Sequence, residues 1–378
     1  MRILLLADIH IGNIKDTDYV YNTITDIIDK EVLFTKTDMI VILGDYFDRL
    51  FKVNEEYVAL AINVMSHIIR TCEKCKTKLR IVYGTESHEM NQYRLFNYHI
   101  TSTKVDMKVF DTVTEETING KHILYVPEEY INDKHEFYKK YFDKKYDYIF
   151  GHGIIEDGMP SIVSYSANSN KNNEKQVPRF KSGEFSKISK LTIFGHYHVW
   201  NKICSNVFYL GSLFRNCFGE EIPKYYGIIE DDKISFIEND KAYEYKTYEF
   251  NETSHIFDSS DNLLKEISKI KEKNKEIFNG DKIGKIRIVF KPPVDIDPSF
   301  KENLKDILFN DKIISPLIKE SSNEIIDDIK EDIADEFEYV IDNNLSAIDK
   351  IHTWINKQYA YQISLEELTK DINEPLSI

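Results

Sequence analysis

The chain has 378 residues, 42% of them apolar and 13% aromatic, with a net charge of −15. That length supports two or three domains with a sizeable core, and the 24 Tyr and 22 Phe argue against extensive disorder. The acidic balance argues against a protein that coats phosphates with Lys and Arg, yet leaves room for an enzyme whose positive charge comes from bound metal ions.

No apolar run approaches the roughly 20 residues of a membrane span. The opening Ile3-Leu4-Leu5-Leu6-Ala7 is cut off by Asp8 and His10 and reads as a first strand, not a signal peptide, so the expected location is the cytoplasm, without membrane contact. Residues 17–34 carry apolar positions at helical period. Met39-Ile40-Val41-Ile42-Leu43 reads as a buried strand that ends in Gly44-Asp45. Residues 54–69 are again helical in pattern, and 79–83 form a third strand leading into Gly84-Thr85-Glu86-Ser87-His88-Glu89. Strand, helix, strand, helix, strand is the pattern of an α/β sheet with crossover helices.

Further strands are expected at 122–126 and 148–150, the latter running into Gly151-His152. Residues 157–190 are mostly polar and read as a surface excursion. Its Lys171, Lys175, Arg179 and Lys181 read as solvated, with phosphate contact as the alternative. A strand at 191–194 then ends in Gly195-His196-Tyr197-His198, and strands follow at 206–210, 225–230 and 233–238. Residues 243–250, 260–278 and 284–290 form a β-α-β unit. From about 299 the chain reads as helical and acidic, with Ile325, Ile326, Ile329, Ile333 and Phe337 in a stripe that reads as packed on its own domain, with partner docking as the alternative. The expected domains are 1–240, a small one at 241–298 and a helical tail at 299–378.

The cysteines at 72, 75, 204 and 217 include one lone CxxC and read as ordinary thiols of a reducing compartment. Five strand ends share one plan: an apolar run, then a short turn presenting Asp or His. They offer Asp8 with His10, Asp45, His88, His152, and His196 with His198. All are metal-binding types, placed where α/β folds gather their sites. A carboxylate such as Asp45 can bridge two cations, and paired ions are a common device for in-line displacement at phosphorus. His67, His99, His122, His135, His255 and His352 fall outside the pattern and read as ordinary histidines.

The ordered set Asp8-Ile9-His10, Gly44-Asp45-Tyr46-Phe47-Asp48-Arg49, Gly151-His152 and Gly195-His196-Tyr197-His198 resembles the calcineurin-like metallophosphoesterases, over roughly residues 1–230. The resemblance implies a β-sandwich flanked by helices. It implies one metal held by Asp8, His10, Asp45 and His198, and a second by Asp45, His152 and His196. The cofactors would be two divalent ions, manganese first and magnesium as the alternative. His88 would assist the leaving oxygen, and Asp48 and Arg49 are candidates for substrate contact.

One motif departs: where the family has Gly-Asn-His-Asp/Glu, this chain has Gly84-Thr85-Glu86-Ser87-His88-Glu89. Ser87 takes the expected place of the missing Asn as a ligand of the second metal, with Glu86 or a water as alternatives. Tyr209-Leu210-Gly211-Ser212-Leu213, Glu220-Glu221 and Tyr226-Gly227 resemble the segment that follows the last motif in SbcD-like DNA-repair nucleases. That implies DNA as substrate, exo- or endonuclease activity, a homodimer through helix 54–69, a capping domain after 240, and an SbcC-like ATPase partner whose coiled coil docks on the tail. The rival readings are another phosphoesterase, such as a nucleotide phosphodiesterase or protein phosphatase, and a non-catalytic scaffold that has lost its second metal.

Overall fold

The computed structural model describes residues 1–131, 133–158, 178–280, 282–293 and 313–318. It divides into two compact units. The first includes Met1–Tyr248 and Ile267–Arg287, and the second includes Glu249–Glu266.

In the first unit, β1 (Arg2–Leu6), β2 (Met39–Leu43), β3 (Lys78–Val82) and β4 (Met107–Phe110) run parallel. Their crossovers include α1 (Thr17–Ile28), α2 (Glu56–Cys75), the single turn α3 (Glu86–Glu89) and α4 (Asn97–Ser102). A second sheet is built on β5 (Thr114–Ile118), β6 (Lys121–Val126) and β7 (Tyr146–His152). After the short pair β8 (Ile154–Ile155) and β9 (Arg179–Phe180) it continues with β10 (Ser189–Gly195), β11 (Asn201–Lys202) and β12 (Val207–Tyr209). Here β6, β7, β10 and β12 are parallel, and β5 and β11 close the edges antiparallel. The hairpin of β13 (Tyr225–Glu230) and β14 (Lys233–Glu238) returns to the first sheet, where β13 pairs antiparallel with β1.

The alternation of strand residues explains why the two sheets stack. Ile3 and Leu5 of β1, Met39, Val41 and Leu43 of β2, and Val82 of β3 pack against Ile123, Tyr125, Tyr148, Phe150 and Ile193 of the other sheet. The intervening Leu4, Leu6, Ile40 and Ile42 face away, onto Val20, Ile24 and Ile28 of α1 and Val64, Met65 and Ile68 of α2. Strands apolar on both faces belong inside such a sandwich. The outer face of the second sheet is covered by α5 (Lys134–Phe142) and α6 (Ser182–Ser186), with Tyr138, Phe180, Phe185 and Phe194 in one cluster. The result is the mixed α/β sandwich, two sheets flanked by helices, that the motif order implied.

Two stretches differ from the sequence reading. Residues 178–190 are not surface excursion, because Phe180 and Phe185 are buried and the chain between them turns into α6. Widely spaced aromatics carry that burial without a readable period. Past 243 the chain forms β15 (Glu244–Phe250), α7 (Ser260–Lys273), α8 (Lys275–Phe278) and β16 (Gly284–Phe290), as expected. Ile314–Ile318 is then a strand, β17, and not helix. The stripe from Ile325 to Phe337, Lys171, Lys175 and His352 lie outside the described residues. None of the described helices is long and apolar enough to cross a membrane.

Candidate metal centre

Strand register puts the expected ligands at one rim of the sandwich. In the first sheet Leu6 pairs with Ile42 and Leu43 with Val82, so Asp8, Asp45 and Thr85 leave adjacent strands at similar height. In the second sheet Gly195 pairs with His152 and Val126 with Gly151, which aligns His196, His152 and Glu128. Among the contacts that join the rims, the His196 N–H donates to Asp8 Oδ1 at 2.9 Å, and His152 Nδ1 lies 2.8 Å from the carbonyl oxygen of Leu43.

The backbone is strained where the ligands turn inward. Asp8, His10, Asp45 and His196 all have positive φ, at 46°, 49°, 47° and 102°. Non-glycine residues rarely hold that conformation, and when they do it tends to be at functional sites. Glycine is obligatory beside them. A Cβ on Gly44 would lie 2.2 Å from His152 Nδ1, and one on Gly84 would lie 2.3 Å from Asp45 Oδ1.

Asp45, 2% exposed, is the hub. Its Oδ2 lies 3.1 Å from His88 Nδ1, 3.4 Å from His152 Nε2 and 3.7 Å from His10 Nε2. Its Oδ1 accepts from the Thr85 N–H at 2.7 Å. His10 Nε2 and His198 Nε2 are 2.9 Å apart. Candidate donor groups overlap around this hub: Asp8, His10 and His198; His10, Asp45 and His88; Asp8, Asp45 and His152; and Glu128, His152 and His196.

The donors are poised for cations. A carbonyl oxygen only accepts, so His152 Nδ1 carries a hydrogen toward Leu43, and Nε2 is the atom that faces Asp45 and Glu128 and is left for a metal. His152 Nε2 and Asp8 Oδ2 are buried with no hydrogen-bond partner. Without a metal, burial disfavours a charged His152, but Asp45, Asp8 and Glu128 outweigh it and push its pKa up to about 10. Burial likewise opposes ionisation of Asp45, yet His152, His88 and His10 hold it well below the usual carboxylate range. Buried oxygen and imidazole donors in this proportion fit divalent cations.

The expected residues sort by position. Asp8, His10, Asp45, His88, His152, His196 and His198 come together. Asp48 sits behind His10, its Oδ1 3.4 Å from His10 Nδ1 without a hydrogen bond between them. Arg49 donates to the Gly12 carbonyl at 2.9 Å and to Glu55 at 2.8 Å, which engages two of its five N–H donors, while the side chain stays 41% exposed. Ser87 and Glu86 are exposed, and Thr85 and His88 are the residues of that turn that touch Asp45.

Two acidic residues of the site lie outside the expected set. Glu128 Oε2 is 3.3 Å from His196 Nδ1 and 3.8 Å from His152 Nε2. Glu220 Oε1 is 2.8 Å from His198 Nδ1, and the Lys224 ammonium donates to Glu220 Oε2 at 2.7 Å. Glu220 stands in the segment after the last motif, so its neighbourhood was legible. Glu128 follows Val126-Pro127 with neither Gly nor His beside it, and only the register of β6 with β7 exposes it. Of the other histidines, His67 pairs with Asp29 at 2.8 Å and His122 Nδ1 lies 3.0 Å from the Lys145 carbonyl. The four cysteines are free thiols.

A two-sheet α/β sandwich whose rim gathers Asp and His donors around one shared aspartate defines a metal-dependent phosphoesterase. The chain belongs to the calcineurin-like phosphoesterases, whose family model matches residues 1–200. No curated protein matches it. Among solved structures 52 chains match. One crystal structure among them is 12% identical, with a TM-score of 0.37, covering 63% of this chain and 98% of that one, a likeness that carries no argument.

Proposed function

We propose that this phosphoesterase hydrolyses phosphodiester bonds of DNA, as the SbcD-like nuclease subunit of a repair or recombination complex. The observation that carries the chemistry is the convergence of four histidines, His10, His88, His152 and His198, on Asp45 and its immediate neighbours. Bound divalent ions, manganese first, would supply Lewis acidity at phosphorus and lower the pKa of an attacking water.

The chain's own residues do the rest. Asp8, His10, Asp45 and His198 would hold one ion, and Asp45, His152 and His196 the other. His88 is 3.1 Å from Asp45 and partly exposed. Burial opposes its charge, but the hydrogen bond and charge of Asp45 raise its pKa above the ordinary histidine value. A protonated His88 can donate to the departing sugar oxygen.

Two features favour a polymer. The side chains of His88, His196 and His198 are 30%, 23% and 30% exposed, so the centre lies open at the rim. A cleft of about 810 Å³ beside Glu128 is walled by Tyr83, Tyr130 and Phe137, aromatic faces on which unpaired bases can stack. Glu86, Asp111 and Glu129 also line that cleft, and these acids favour a second reading, a phosphoesterase for a less charged substrate.

Labelled linear and hairpin DNA, incubated with Mn²⁺, Mg²⁺ or EDTA beside Asp45→Ala and His88→Ala proteins, tests the proposal. Metal-dependent cleavage lost in both variants supports it. Intact DNA with hydrolysis of a chromogenic phosphodiester gives the second reading.

A further inference from the structure

We infer that Glu128 is a ligand of the second metal and replaces the missing Asn of the third motif. The inference rests on the metal-dependent reading above and concerns how the second ion is held. The turn that normally supplies the amide does not supply a substitute here: Ser87 is exposed, and the Thr85 N–H and hydroxyl are directed to Asp45, at 2.7 and 3.3 Å.

Glu128 reaches the vacated position from the other sheet. The pairing of β6 with β7 carries it to the level of His152, and its N–H donates to the Tyr83 carbonyl at 3.2 Å, which pins its backbone between the two rims. Its Oε2 then lies 3.3 Å from His196 Nδ1, 3.8 Å from His152 Nε2 and 3.5 Å from the Thr85 hydroxyl. One donor atom from each of Glu128, His152 and His196 falls within 4.8 Å of the others.

The environment of Glu128 points to a cation. It is 6% exposed, and among the described residues it pairs with the imidazoles of His152 and His196 and with no Lys or Arg; imidazoles that hold a metal are neutral, which leaves the ion itself to meet this carboxylate. A carboxylate buried in that way is costly unless a positive charge meets it. Exchange of a neutral amide for a carboxylate also adds a negative charge to the second site. It therefore strengthens the site's attraction for divalent ions, with a bias toward hard ions such as Mn²⁺ and Mg²⁺.

Metal-free full-length protein titrated with Mn²⁺, with free Mn²⁺ read by electron paramagnetic resonance, tests this without any substrate. The wild type should bind two ions per chain. Glu128→Ala should bind one ion as the wild type does and a second about tenfold or more weakly. Glu128→Gln, which keeps the side chain's size, should fall between them. Ser87→Ala should bind two ions like the wild type. Two unchanged sites in folded Glu128→Ala protein, or in Glu128→Met where the alanine variant does not fold, would overturn the inference while leaving the metal-dependent reading intact, as would loss of the second ion in Ser87→Ala. A wild type that binds no Mn²⁺ would overturn both.

Discussion

His10 and His198 face each other through their Nε2 atoms at 2.9 Å. His198 Nδ1 lies 2.8 Å from the Glu220 carboxylate, which only accepts, so its hydrogen sits there and Nε2 presents a lone pair. His10 Nδ1, 3.4 Å from Asp48, makes no hydrogen bond, so a hydrogen on His10 Nε2 or a cation can occupy the space between the two rings. Two lone pairs at that distance repel unless a proton or a cation lies with them. The metal-free protein should therefore be less stable than the loaded one. Free Mn²⁺ at about 100 times its Kd should stabilise it by about 2.7 kcal/mol per site, and EDTA should reverse the gain. Thermal melts with and without metal check this.

Glu220 touches His198, a candidate ligand of the first metal. It fixes the imidazole tautomer and is itself held by Lys224, whose ammonium also donates to Ser212 Oγ at 2.8 Å and to the His198 carbonyl at 2.9 Å. Replacement Glu220→Gln should weaken the first metal about 10- to 100-fold and leave the second site close to wild type. Calorimetric titration of the metal-free protein separates the two.

His88 touches the hub but stands toward solvent. Its loss should be felt in turnover more than in metal content. His88→Ala should lower kcat about 10²- to 10⁴-fold while both metals still bind. Steady-state kinetics beside metal analysis of the same preparation distinguishes this from a collapsed site.

Far from the metals, Arg80 and Glu116 bind the two sheets together. Arg80, 1% exposed, donates from Nε and from a terminal nitrogen to the Glu116 oxygens at 2.8 and 2.9 Å, and Lys108 adds a third bond at 2.7 Å. Burial works against the Glu116 charge, but Arg80 and Lys108 hold its pKa below the ordinary 4.5. A depressed carboxylate contributes stability above its unfolded pKa and loses it as pH falls through the folded value. Glu116→Gln should thus cost about 3 kcal/mol at pH 7, and the gap to wild type should narrow below about pH 4.5. Urea unfolding at both pH values measures it.

Much of the site was legible because its chemistry sits on strand ends. Apolar runs such as Met39–Leu43 announce the strands, and the turns after them hold the Asp and His that the sandwich brings together. What stayed hidden depends on register and on burial at a distance. Glu128 enters the site only because β6 lies beside β7, a pairing that no local pattern specifies. Arg49 reads as an anion contact, and register alone does not show that Gly12 and Glu55 take two of its donors. Ser87 adjoins His88 in sequence, but the single turn α3 leaves it exposed while Thr85 meets Asp45. Phe180 and Phe185 look like residues of a polar loop until the second sheet needs a cover.

The central claim is a paired-metal centre bridged by Asp45. Anomalous diffraction from crystals equilibrated with Mn²⁺ tests it most directly. Two peaks are predicted, one on each side of Asp45, the first among Asp8, His10 and His198 and the second among His152, His196 and Glu128. A single peak away from Asp45, or no peak at a Mn²⁺ concentration that supports hydrolysis, would contradict the account.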